Sequence, residues 1–195
     1  MIAIIDYGAG NVASVANALE SLKQEYILTG SGNAIEQAEG AIFPGQGEAS
    51  FAMKRLSEMN LIYLLKNYKK PLLGICLGMQ LLAEKSMEGN TKCLGVIDGV
   101  IDKFNKQETK VPHMGWNSIE IIKPDTLFNG IKSGEYFYYA NSYYLPVVSS
   151  TTSTSENKII FSASLEWNNY YGVQFHPERS GEAGLKLLRN FIGLC

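Results

Sequence analysis

Residues 72–82 read LLGICLGMQLL. A continuous apolar run ends at Gly74-Ile75-Cys76-Leu77-Gly78, and an apolar stretch of a different period follows it. Free cysteine is among the most buried residue types, so Cys76 alone has a bland explanation as core filling. Glycines two residues before and two after it need another reason. Gly-x-Cys-x-Gly between a buried strand and a helix matches the nucleophile elbow, with cysteine in the serine position. Such a turn holds the nucleophile in a strained conformation above a sheet, and bulky neighbours two residues away would collide. The next peptide N–H, that of Leu77, points to the same place and suits a developing oxyanion. A helix starting there adds its positive end, which favours a thiolate.

The flanking sequence supplies the sheet. IAIID (2–6) reads as a short buried strand entering the glycine turn Gly8-Ala9-Gly10. Asn11 to Leu22 carries Val12, Val15, Ala16 and Leu19 on one helical face. A strand at Tyr26–Leu28 follows, then GAIFPG (40–45), a helical stretch over 51–65, and the strand LLGI (72–75). Apolar strands alternating with helices predict a largely parallel sheet covered on both faces. Gly8-Ala9-Gly10-Asn11-Val12-Ala13 fits a loose dinucleotide fingerprint, but the second strand ends in Ile27-Leu28-Thr29-Gly30 without the acidic residue that fingerprint requires. It reads as a tight strand-to-helix turn.

From about Val96 the texture changes. EYFYYANSYYL (135–145) and KIIFSAS (158–164) read as short aromatic strands, with turns at Lys123-Pro124-Asp125 and Asn168-Asn169. SSTTSTSEN (149–157) reads as a loop or exposed strand edge, and GEAGLKLLRNFIGL (181–194) as a helix. The expectation is one mixed α/β domain over residues 1–195, with antiparallel additions in its second half.

The 195 residues are 46% hydrophobic and 18% charged, which suits a globular domain with a sizeable core. A formal net charge of −2 gives no electrostatic footprint for nucleic acid or an anionic membrane. No segment is apolar for long enough to span a bilayer, and the start MIAIIDYGAG lacks the pattern of a signal peptide. Three cysteines, Cys76, Cys93 and Cys195, cannot all pair within one chain, so a reducing cytoplasm is expected. The two histidines, His113 and His176, have no partner at zinc spacing, and neither a metal nor a cofactor is expected.

A nucleophile elbow needs a base. His176 lies in YGVQFHPERSG (171–181), where an extended chain places residues i and i+2 on one face, so His176 and Glu178 project together. Pro177 biases His176 toward that extended geometry. Cys76, His176 and Glu178 thus read as nucleophile, base and orienter. His113, in VPHMGWN, has no carboxylate near it in sequence and reads as structural. Phe43-Pro44-Gly45-Gln46-Gly47 closes a strand with peptides that can approach a ligand closely, so Gln46 and Gly47 would complete an oxyanion hole with Leu77.

Together GICLGMQLL, the FHPE segment and the PGxG loop resemble the class I glutamine amidotransferases, and the resemblance covers essentially the whole chain. It implies a flavodoxin-like glutaminase fold. DYGAGN and PHMGWN are most similar to the glutaminase subunits of imidazole glycerol phosphate synthases. The resemblance implies that glutamine is hydrolysed through a thioester on Cys76, with Gly47, Gln80, Glu88, Ser142 and Tyr143 holding the substrate. It also implies that the ammonia passes to a cyclase partner, a (β/α)8 barrel of histidine biosynthesis, in a heterodimer. Met114, Trp116, Asn117 and Arg179 are the interface candidates. Two positions depart from the usual pattern: Gln46 stands for valine in PGVG, and Asn141 for histidine in FVHSYY. A paralogue that serves sugar modification, a different cysteine hydrolase and a non-catalytic scaffold role remain open as alternatives.

Overall fold

The computed structural model describes residues 1–123 and 126–195, so the expected turn through Pro124 and Asp125 lies outside the described residues. The first half alternates β1 (Ile2–Ile5), α1 (Val12–Ser21), β2 (Tyr26–Thr29), α2 (Gly32–Gln37), β3 (Gly40–Gly45), α3 (Ala49–Glu58), α4 (Leu61–Lys66), β4 (Leu72–Cys76) and α5 (Leu77–Gln80). The second half adds β5 (Lys85–Ser86), β6 (Thr91–Lys92), β7 (Val100–Lys103), β8 (His113–Ser118), β9 (Glu120–Ile121), β10 (Tyr136–Asn141) and β11 (Tyr143–Tyr144). It ends with β12 (Thr151–Asn157), β13 (Ile159–Trp167), β14 (Tyr170–Val173) and α6 (Gly181–Ile192).

The main sheet has eight strands in the order β2-β1-β3-β4-β14-β13-β12-β9. Its first five are parallel neighbours, and β13, β12 and β9 extend it antiparallel. The parallel part has the flavodoxin-like order, whose ligands bind beyond the strands' carboxyl ends where the order reverses, between β1 and β3. Alternation along β1 divides the core. Ala3 and Ile5 join Phe43, Leu56, Leu65 and Met79 on one face, while Ile2 and Ile4 join Val15, Leu19, Leu187 and Phe191 on the other. Helices α3 and α4 therefore cover one face, and α1 and α6 the other.

Two local expectations need correction, and one helix is unexpected. The helical stretch over 51–65 is two helices, broken where Asn60 adopts a left-handed conformation (φ 57°, ψ 29°). Asparagine tolerates that region better than other residues with a Cβ, so the break leaves the apolar periodicity almost unmarked. The short helix α2 has no counterpart in the sequence reading. The largest difference is SSTTSTSEN, which forms the interior strand β12, with Thr151 to Ser155 buried between β13 and β9. Its hydroxyls pair with hydroxyls of β13 and β10. Thr151 Oγ1 lies 2.7 Å from Ser162 Oγ, Thr152 Oγ1 2.7 Å from Ser164 Oγ, and Ser155 Oγ 2.6 Å from the Tyr139 hydroxyl. A polar strand can be interior when each buried group finds a partner, and composition does not record that pairing.

Candidate active site

Cys76 is the last residue of β4 and adopts φ 53°, ψ −109°, a conformation that costs a residue with a side chain about 1–3 kcal/mol. The surroundings enforce it. A Cβ on Gly74 would lie 2.7 Å from the Met79 nitrogen, and one on Gly78 would strike the Phe43 carbonyl oxygen. Backbone approaches of that kind leave room for glycine alone. Gly78→Ala should therefore destabilise the chain by about 2–3 kcal/mol in thermal unfolding. Gly47→Ala should cost less, because a Cβ there meets nothing within 4 Å and only its φ of +93° is strained.

The helix after the elbow is a single turn, Leu77–Gln80, shorter than the apolar pattern suggests, so its dipole adds little. The Leu77 N–H, first in that turn, has no intrahelical acceptor. Across from it, β3 pairs Gly45 with Cys76 and leads into exposed Gln46 and Gly47. The buried Tyr7 hydroxyl pins this loop by donating to the Pro44 carbonyl at 3.0 Å, and burial raises its pKa, which keeps it a donor.

His176 follows β14, the strand beside β4. Its backbone is extended (φ −103°, ψ 93°), as the following proline requires. Glu178 does not continue an extended chain; Pro177–Arg179 form one 3-10 turn. That turn, and not a strand face, brings Glu178 Oε1 to 2.8 Å from His176 Nδ1, with both side chains nearly buried. Burial alone would lower the imidazole pKa. Hydrogen bonds to Cys76 and Glu178, with the charges of both, outweigh it and raise the value to about 10. The ring is therefore protonated when the sulfur carries negative charge.

Cys76 and His176, with Glu178 behind the imidazole and outside the lining, open on a pocket of about 220 Å³ that is also lined by Gln46, Gly47, Leu77, Gln80, Glu88, Ser142, Tyr143 and Arg179. Gln80 is buried, and its Nε2 donates to the Tyr143 carbonyl and to Gln174 Oε1, each at 2.9 Å. Glu88 Oε2 accepts from the Ala49 N–H at 2.8 Å and so caps α3 across the pocket. Burial raises its pKa, with that backbone hydrogen bond opposing. Ser142 and Tyr143 form part of the wall. Their conformation is held by the Phe104 N–H on the Ser142 carbonyl at 3.1 Å and by the Gln80 bond just described.

Sequence reasoning misses Asn11, which lines the pocket, and Gln174, which lies against Cys76 outside the lining. Asn11 caps α1 and lines the pocket at the carboxyl end of β1. Buried Gln174 places Nε2 3.6 Å from Cys76 Sγ. The position of Asn11 beyond β1 was the available signal for the first; nothing in the local sequence marks the second.

The interface candidates divide. Met114 and Trp116 project from β8 and are 62% and 57% exposed, beside Tyr136 on β10 at 57%. Arg179 lies 4.5 Å from the centre of the Tyr138 ring, which meets Trp116 edge-on at 6.2 Å. Asn117 is half-buried. It takes the inward alternation of β8, where its Nδ2 lies 3.3 Å from His113 Nε2 and donates to the Glu156 carbonyl at 2.8 Å. His113 lies outside the pocket and stacks on Tyr139 at 5.0 Å.

Known proteins resemble this chain throughout. A family profile described as "Glutamine amidotransferase class-I" matches residues 3–194. A Bacteroides fragilis protein named "Imidazole glycerol phosphate synthase subunit HisH" is 45% identical over 195 residues, covering 99% of each chain. A Vibrio cholerae protein of the same name is 43% identical over 199 residues, covering 99% of this chain and 98% of its own. Among solved structures, a glutamine amidotransferase from Thermotoga maritima superposes with TM-score 0.65 at 17% identity, covering 98% of this chain and 81% of its own. That likeness is one of fold. With an elbow cysteine, an adjacent histidine–glutamate pair and a profile match from residue 3 to residue 194, the chain belongs to the class I glutamine amidotransferase family.

Proposed function

We propose that the chain, acting over residues 1–195 as one glutaminase domain, is the glutaminase subunit of an imidazole glycerol phosphate synthase in histidine biosynthesis. The observation that carries the chemistry is the contact of His176 with both Cys76 and Glu178 at the floor of an amino-acid-sized pocket. The names of relatives 42–45% identical over nearly the whole chain support the pathway.

In this reading the Cys76 sulfur attacks the side-chain amide carbon of glutamine. The carbonyl oxygen takes the negative charge, facing the N–H of Leu77 and the Gln46–Gly47 peptides. The His176 imidazolium gives its proton to the departing nitrogen, ammonia leaves, and a glutamyl thioester remains on Cys76. Neutral His176 then takes a proton from water as that water attacks the thioester. Glutamate leaves and the sulfur is regenerated. Glu178 keeps Nδ1 protonated and the ring aimed. Glu88 meets the substrate's α-ammonium group, the Ser142–Tyr143 main chain meets its α-carboxylate, and Gln80 holds that main chain.

Ammonia released to water at neutral pH is protonated and lost as a nucleophile, so a docked consumer suits the chemistry. The outward face of β8 and β10, with Met114, Trp116 and Tyr136 exposed and Arg179 packed on Tyr138, suits a partner, since aromatic and arginine anchors dominate such surfaces. The partner in this reading is the cyclase, a (β/α)8 barrel. The test is glutamate release from glutamine by the chain alone, then with that cyclase and its ribonucleotide bound. A sharp rise in the complex supports the assignment. Glutaminase activity that stays flat with the cyclase overturns the partner and points to a sugar-modifying enzyme. No glutamate in either state overturns the chemistry.

A further inference from the structure

A line of polar groups runs inward from the β8–β10 sheet to the pocket, and main-chain atoms fix its direction at both ends. At the outer end the Ser118 N–H donates to Asn117 Oδ1 at 2.9 Å, while Asn117 Nδ2 donates to the Glu156 carbonyl. The amide orientation of Asn117 is thereby set, and the group it turns to His113 Nε2 at 3.3 Å is a donor. His113 Nε2 must accept, so the ring proton belongs on Nδ1. At the inner end, Asn141 Nδ2 donates to the Tyr143 carbonyl at 2.9 Å, which turns Asn141 Oδ1 away as an acceptor. His113 and Asn141 are cross-strand partners in the β8–β10 register. His113 Nδ1 and Asn141 Oδ1 are both buried, and neither has a hydrogen-bond partner of ordinary geometry. The donor on one and the acceptor on the other are complementary. Burial lowers the His113 pKa, with the neighbouring Asn141 amide opposing, so the ring remains neutral and Nε2 remains an acceptor.

We propose that His113 and Asn141 are positioning residues, a directed relay in which Nδ1–H of His113 locks the Asn141 amide so that it holds the Tyr143 carbonyl and sets the Ser142–Tyr143 main chain for the α-carboxylate of glutamine. The proposal rests on the glutaminase reading for the identity of the ligand. Asn141 lines the pocket and Gln80 grips the same carbonyl, so the wall is held from two sides. With the relay broken, the Asn141 amide is free to rotate its oxygen toward the Tyr143 carbonyl oxygen, and the wall is pushed out of register. The lesion falls on substrate recognition and leaves Cys76, His176 and Glu178 in place.

The test uses two substitutions that remove the same ring. His113→Asn keeps an amide N–H near the Nδ1 position; His113→Gln reaches the Nε2 position and lacks the inner donor. Cys76 alkylation in the full chain is followed with a glutamine-shaped chloroketone, separating half-saturation from maximal rate, and with iodoacetamide as a shape-blind control. The Gln variant should raise half-saturation about tenfold, the Asn variant should stay within about twofold, and iodoacetamide should not distinguish them. Equal shifts in the two variants mean that only the ring's packing matters, and overturn the relay. Should neither variant fold, ¹⁵N shifts of the His113 ring in the unsubstituted chain decide: a protonated Nδ1 supports the relay, and a protonated Nε2 overturns it. A chloroketone that fails to saturate the unsubstituted chain counts against the glutaminase reading instead, and the ring nitrogens then judge the relay alone.

Discussion

Cys76→Ala should lower glutamine-dependent turnover by at least about 10⁴-fold, because no other group in the pocket can form the thioester. The variant should fold, since alanine removes one sulfur from a side chain that is only 7% exposed and adds nothing to the crowded elbow. It is informative because ammonia can be supplied from outside. In the complex with the cyclase, synthesis fed by free ammonia should proceed at the unsubstituted rate while synthesis fed by glutamine disappears. Residual glutamine-dependent synthesis in Cys76→Ala would place the nucleophile elsewhere. Loss of the ammonia-fed rate as well would show that the substitution damages the complex and not the chemistry alone.

The second large effect is expected at the histidine–glutamate pair. In the proposed mechanism His176 is both the acid for the leaving nitrogen and the base for water, so His176→Ala should cost about 10⁵–10⁶ in kcat. Glu178→Gln should cost less, about 10²–10⁴, because a misoriented imidazole still transfers protons. The pH profile separates the two roles of Glu178. The proposed mechanism needs His176 protonated to release ammonia, so activity should persist below its pKa and fall as pH rises through it. With the pKa raised to about 10 by Cys76 and Glu178 against the cost of burial, that fall lies well into the alkaline range. Replacing the carboxylate with a neutral amide removes one of the groups that raise it, so the alkaline limb should move to lower pH. A rate loss with an unmoved limb would mean that Glu178 orients the ring without stabilising its charge.

Much of the site is legible in sequence because it is built from short-range requirements. The elbow needs glycines at fixed offsets from Cys76, and His176 and Glu178 lie two residues apart, so both features survive in one dimension. Even there the mechanism differs: the carboxylate arrives by a 3-10 turn, which a pattern of i and i+2 cannot distinguish from a strand. The parallel strands announce themselves because burial on both faces demands continuous apolar runs such as GAIFPG and LLGI.

What stays hidden depends on partners far along the chain. Nothing local marks Gln174 as a neighbour of Cys76, since the contact joins residues 98 positions apart. The strand Thr151–Asn157 is interior only because Ser162, Ser164 and Tyr139 supply its hydroxyl partners. Asn117 looks like a surface residue beside Trp116 until β10 fixes the alternation of β8. Asn141, recognisable in sequence only as a departure from the family pattern, faces His113 across the β8–β10 pairing, a neighbour that its own segment does not announce.

The placement of β14 bears on synthesis of the chain. This strand enters the sheet between β4 and β13 and pairs Gly172 with Gly74 and Val173 with Ile75. Until it arrives, β4 is an open sheet edge and Cys76 has neither its histidine nor its glutamine neighbour. A polypeptide growing from its amino end therefore carries an unarmed thiol through most of translation, and the reactive centre is completed only when residues 170–178 leave the ribosome and dock. Fragments released before that point, however well their first four parallel strands collapse, hold a cysteine without a base and cannot waste glutamine.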